Sequence, residues 1–141
     1  MIALDRRMLL VTGLGSAAAA SLVAGQAQAE HYPADAGEPV PEATGNVRRV
    51  SLSERHSTIP GYTKVRMLDI VFPPGSSEPV EVMMADMVCH CTEGELTVTN
   101  DGKEFVAKAG DVWTCRNGGT EGLVNNGSSQ AVMRVVLLLG A

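Results

Sequence analysis

The sequence predicts an all-β protein, a small antiparallel barrel built from short strands. Three observations carry that prediction. Apolar, β-branched segments recur from Val65 to Leu139. Turn signals rich in glycine, proline and asparagine separate them. No stretch beyond residue 30 repeats its apolar positions at helical spacing.

In chain order, the first element is not part of that fold. Asp5-Arg6-Arg7 stands directly before an apolar run from Met8 to about Gly25, and Ala27-Gln28-Ala29 follows as a small-x-small cleavage pattern. The paired arginines resemble a twin-arginine export signal, a receptor-read address rather than an anchor. Residues 1–29 are therefore read as an export signal, with cleavage after Ala29 and a periplasmic or exported mature chain. A stable membrane helix is disfavoured by Gly13, Gly15 and an alanine-dominated composition. Residues 30–46 contain Pro33, Gly37, Pro39, Pro41 and Gly45 with little apolar content, and read as a flexible or extended leader.

The folded domain is expected over 47–141. Its strands are placed at Val65 to Phe72, Val80 to Cys91, Glu95 to Thr99, Glu104 to Ala107, Val112 to Cys115 and Ala131 to Leu139. The breaks are Pro73-Pro74-Gly75, Asn100-Asp101-Gly102, Ala109-Gly110, Asn117-Gly118-Gly119 and Asn125-Asn126-Gly127. Asn100-Asp101-Gly102 is the strongest hairpin signal, because glycine tolerates the positive φ that tight hairpin turns require.

Composition excludes some functions. The net charge is −5, and it becomes −6 once Asp5, Arg6 and Arg7 are removed with the signal. Such a chain lacks the clustered cations that release counterions from nucleic acid. Its five aromatics, Tyr32, Tyr62, Phe72, Phe105 and Trp113, are too scattered for a base-stacking platform.

Pro74-Gly75, Glu93-Gly94-Glu95-Leu96, Asp101-Gly102-Lys103-Glu104-Phe105, Ala109-Gly110-Asp111-Val112 and Asn125-Asn126-Gly127 occur in that order. Together they resemble the two motifs of a cupin domain, over about Leu68 to Leu139. The resemblance implies a jelly roll with a central pocket, commonly a homodimer. It also implies where metal ligands would stand. Metal-binding cupins usually carry His-x-His and a Glu in the first motif and a further His in the second. The spacing puts the paired histidines near Glu81 and Met83, the Glu near Asp86 or Met87, and the last His at Glu121. None of these positions is histidine, so the three-His-one-Glu centre is not carried over.

Other chemistry could occupy such a pocket. Cys89 and Cys91 share one face of a strand and His90 takes the other. The cupin register turns Met83, Met87, Cys89 and Cys91 inward, and Trp113 shares parity with Cys115. Met83, Met87, Cys89 and Trp113 are the expected pocket lining. Three readings stay open for the cysteines. They fill the core as small apolar residues. Alternatively Cys115 bonds Cys89 or Cys91 and one thiol is spare. Or Cys91, Cys115 and Glu121 hold one soft metal ion, copper or zinc, with Met83 or Met87 as a thioether. His90 is expected to face outward or towards a neighbouring subunit. His31 and His56 lie in the leader and an early loop. Asp86 and Glu121 are candidate carboxylates at the pocket mouth, for a cation or for proton transfer, or else solvated rim residues.

The expected function is that of an exported barrel binding a small molecule or metal ion without the histidine site. The competing expectation is a sulfur- and carboxylate-ligated metalloenzyme such as an oxygenase, or a thiol redox protein.

Overall fold

The structure, a computed structural model, describes residues 31–140. The expected export signal at 1–29 lies outside the described residues. Among the described residues no helix is long and apolar enough to cross a membrane.

Among the described residues ten antiparallel strands form two sheets. The larger runs in the order β1 (Glu38–Pro39), β2 (Arg48–His56), β3 (Lys64–Phe72), β10 (Ala131–Leu139), β5 (Asp86–Glu93) and β8 (Val112–Cys115). The smaller is β4 (Ser77–Val82), β9 (Thr120–Val124), β6 (Glu95–Asn100) and β7 (Lys103–Lys108). At the centre of the larger sheet, β10 pairs with β3 from Ala131–Phe72 to Leu139–Lys64. These are long aliphatic strands: alternate side chains (Leu68, Ile70 and Phe72; Ala131, Met133 and Val135) enter the core, and Asp69, Val71 and Val132 between them are buried as well.

Leu68, Ile70, Phe72, Cys89 and Met133 from the larger sheet share one core with Leu96, Val98, Ala107 and Leu123 from the smaller. The expected small barrel or jelly roll is thus two facing sheets that do not close into a continuous barrel. No continuous ladder joins the sheets among the described residues; an isolated bridge between Thr44 and Ser77 links their edges. The chain crosses from the smaller sheet to the larger at Met83-Met84-Ala85, where the expected Val80–Cys91 strand divides into β4 and β5.

Two turns show why particular residues are needed. At the β6–β7 hairpin Asp101 (φ 47°) and Gly102 (φ 80°) are both left-handed, the pairing a tight two-residue turn demands. Gly94 (φ 69°) turns β5 into β6, and a Cβ there would lie 2.5 Å from the Gln130 carbonyl oxygen. Behind it, buried Asn125 ties two loops together. Its Nδ2 donates to the carbonyls of Phe72 (2.8 Å) and Ser129 (2.9 Å), and its Oδ1 accepts the Gly127 N–H (2.9 Å).

The leader is extended, and it is held to the sheet. β1 pairs with β2, and Val40 N–H donates to the Val47 carbonyl (3.0 Å). Tyr32 and Gln130 exchange two hydrogen bonds of 3.0 Å. The Tyr32 hydroxyl donates to Asp69 Oδ2 (2.5 Å), and Arg134 grips the same carboxylate through Nε (2.8 Å) and a terminal nitrogen (2.9 Å). Asp69 and Arg134 are directly opposite on β3 and β10, and Asp69 is 1 % exposed. Proline and glycine set the leader's path here; polar partners on β2, β3 and β10 supply the anchoring that its own composition does not advertise.

Candidate functional site

A cavity of about 530 Å³ opens between the sheets. Its floor is apolar: Leu68 and Ile70 from β3, Met133 and Val135 from β10, Leu123 from β9. Its mouth is acidic. Glu78 and Glu81 come from β4 and Glu38 from β1, facing Arg49 and the Arg66–Glu54 pair, while Glu121 from β9 is buried in the wall. Met83 and Met87 complete the wall. Two glutamates only three residues apart reach one cavity because the β4–β9 register shifts between Glu78 and Glu81.

Burial shapes the charge of this wall. Glu78 Oε1 is buried with no hydrogen-bond partner among the described residues. Desolvation first, then the charges of Glu121 and Glu81, push the Glu78 carboxyl up to about 7, against the pull of Arg49. Glu121, 3 % exposed, is also raised by burial, and hydrogen bonds from Cys115 and Trp113 oppose that rise.

Behind Glu121 lies a compact cluster. On adjacent strands Met87 stands opposite Cys115, and Cys89 opposite Trp113, so these four side chains form one inward-facing block. Glu121 reaches it from the other sheet. Its Oε2 accepts both the Cys115 thiol (2.6 Å) and the Trp113 indole N–H (2.8 Å). Asn100 Nδ2 donates to Cys115 Sγ (3.3 Å). The Cys89 and Cys115 sulfurs and a Glu121 oxygen all lie within 4.8 Å of one another. A hydrogen bond with Cys115, then burial, hold the Cys89 thiol far above its ordinary range.

The arrangement corrects the expected metal set of Cys91, Cys115 and Glu121. Cys91 is not in the cluster; Cys89 takes its place. Cys91 sits two residues further along β5, beyond the stretch that faces Cys115, and its thiol donates to the carbonyls of Glu93 (3.5 Å) and Gly94 (3.6 Å). Burial pushes it up to about 11. All three cysteines are free thiols, with no disulfide to Cys115. Of the four expected lining residues, Met83 and Met87 line the cavity, while Cys89 and Trp113 stand one layer behind it.

Asp86 and Glu121 do not share a mouth. Asp86 accepts the Tyr62 hydroxyl (2.5 Å) and the Asn117 N–H (2.8 Å), two contacts that keep its carboxyl below the ordinary range. It pins a loop at the end of the sheet. Glu121 is buried rather than a solvated rim residue. His31 lies against Glu93 (2.5 Å), His56 ends β2, and His90 is half-buried on the face of β5 opposite Cys89. Glu78 was not foreseeable from the text, since strand alternation alone puts it with Val80 and away from Glu81.

Comparison with known proteins matches residues 68–138 to the cupin domain. The chain belongs to the cupin family. Among solved structures this cupin is similar to a predicted oxalate decarboxylase of Thermotoga maritima, at 21 % identity and a TM-score of 0.61 over 72 % of this chain and 88 % of that one. It is also similar to an RmlC-like cupin from Shewanella frigidimarina, at 20 % identity and a TM-score of 0.57, covering 79 % and 92 %. The cupin domain of Schizosaccharomyces pombe Cnp3 aligns at 18 % identity and a TM-score of 0.57; the match covers 67 % of this chain and 62 % of that one. No curated protein matches the sequence.

The positions at which the cupin resemblance puts metal ligands include Glu81, Met83, Met87 and Glu121, and all four line the one cavity. Their donors are two carboxylates and two thioethers. No histidine is among the lining residues. The usual imidazole-rich cupin centre does not fit this wall.

Proposed function

We propose that this cupin is an exported binding protein that holds a small molecule in the cavity between its sheets, without the histidine metal centre. The observation that carries the reading is the cavity itself. About 530 Å³ of space with an apolar floor and a few convergent polar groups matches the usual form of a small-molecule site. The acidic mouth favours a ligand with an apolar body and a neutral or cationic end. Export rests on Arg6-Arg7, the apolar run and Ala27-Gln28-Ala29. The reading keeps the homodimer that the cupin resemblance implies as its assembly.

Thiol redox chemistry is the weaker reading. A reactive cysteine needs a lowered pKa and access, whereas Cys89 and Cys91 are buried and shifted upwards.

The test is native mass spectrometry of the exported protein, paired with thermal-shift screening of amphiphilic amines and neutral analogues. A retained or stabilising ligand that is lost in Ile70→Trp, with the fold intact by circular dichroism, supports the reading. Binding that ignores this cavity-filling change refutes it, and so does the absence of any ligand in both assays.

A further inference from the structure

We infer that Cys89, Cys115 and Glu121 form a binding site for one thiophilic d10 cation, zinc(II) or copper(I). This site stands behind the cavity and does not depend on the cavity being occupied. Its three donor atoms come from three strands in two sheets and lie within 4.8 Å of one another, all on buried residues. Core packing alone accounts for two small thiols, but not for a carboxylate buried against them, which is costly to desolvate without a role. Glu121 turns Oε2 towards both the Cys115 thiol and the Trp113 indole. An orienting N–H donor on a ligating carboxylate is the usual outer support of a metal site.

The dimensions suit such an ion. With metal–sulfur and metal–oxygen bonds of about 2.3 and 2.0 Å, tetrahedral ligands stand about 3.8 Å (S···S) and 3.5 Å (S···O) apart. The Cys115 thiol and Glu121 at 2.6 Å open by about 0.9 Å to admit the ion. On binding, each thiol breaks its S–H bond, forms an S–metal bond and releases its proton to solvent, with no electron transferred. Met87 and Glu121 border both cluster and cavity.

The two ions use the donors differently. Zinc takes both thiolates, the Glu121 carboxylate and a water. Copper(I) takes both sulfurs and the Met87 thioether, which register puts beside Cys115.

The full chain, reduced and free of chelator, is titrated with zinc(II) or copper(I) and followed by native mass spectrometry. One ion per chain is expected at micromolar metal. Cys89→Ala and Cys115→Ala weaken binding by about a hundredfold, and Cys91→Ala leaves it unchanged. Glu121→Gln weakens zinc more than copper(I), while Met87→Leu does the reverse. Cobalt(II) on the unaltered chain gives a readout that needs no variant: thiolate charge-transfer intensity for two sulfurs. No adduct, an adduct lost in Cys91→Ala, one retained in the Cys89→Ala Cys115→Ala double variant, or a cobalt spectrum of no thiolate or three overturns the site. Ile70→Trp separates the two readings, since it abolishes ligand retention and leaves the metal count at one.

Discussion

Glu78→Gln tests the electrostatics of the cavity wall. In the folded chain Glu78 is raised from an ordinary 4.5 to about 7, chiefly by burial. The unfolded chain releases that proton at the lower value, so between these limits the folded state binds more protons. Stability from this group is therefore full below about 4.5 and is lost as pH rises to about 7. The whole displacement corresponds to about 3 kcal/mol, and solvent entering the cavity reduces the measured effect to about 1–3 kcal/mol. Glutamine keeps the shape and removes the titration. Urea unfolding read by the single tryptophan, Trp113, at several pH values measures the difference between variant and parent. It should be near zero at about pH 4 and grow to about 1–3 kcal/mol in the variant's favour by about pH 8. A difference that is constant with pH, or that shrinks as pH rises, refutes the argument.

Three further outcomes follow from the same contacts. Asn125→Ala strips the partners of the Phe72 and Ser129 carbonyls and the Gly127 N–H, and should cost about 2–4 kcal/mol in chemical denaturation; a loss below about 1 kcal/mol contradicts the bracing role. Gly94→Ala meets both a left-handed φ and the Gln130 carbonyl, whereas nothing lies within 4 Å of a Cβ at Gly102. Thermal melts should therefore show Gly94→Ala at least about twice as damaging as Gly102→Ala; equal losses would discount the close approach. Asp69→Asn leaves Arg134 and Tyr32 without their shared carboxylate and should cost about 3 kcal/mol. Hydrogen exchange should then rise over residues 31–40 well before the β6–β7 hairpin, and unchanged exchange there would show that the carboxylate does not hold the leader.

Much of this fold was written in short-range patterns. β8 and β10 fall where apolar alternation and turn residues put them, and the Asp101–Gly102 hairpin closes as its residues demand. β2 escaped because Arg48–His56 is polar and mostly exposed, with no apolar face to read. β9 escaped because Gly122 interrupts it; a Cβ at Gly122 would lie 2.7 Å from the Val80 side chain, a long-range reason invisible in local text. The Met83–Ala85 corner carries neither glycine nor proline, so one strand was expected where two occur. For the site, period-two alternation correctly grouped Met87, Cys89 and Cys91 on one face. Which of the two thiols meets Cys115 depends on the β5–β8 register, a pairing between distant segments that parity does not encode.

The central position of β10 has a consequence for synthesis. β3 and β5 are its two neighbours, yet Leu139 is made 67 residues after Phe72 closes β3. At ordinary translation rates of 5–20 residues per second that interval is about 3–13 s. β3 carries an open edge towards the missing neighbour throughout it, and β5 does so once Glu93 is made, 46 residues before Leu139; such edges are templates for aggregation. The larger sheet is thus completed only after translation reaches Leu139, although β3 and β5 are made before it.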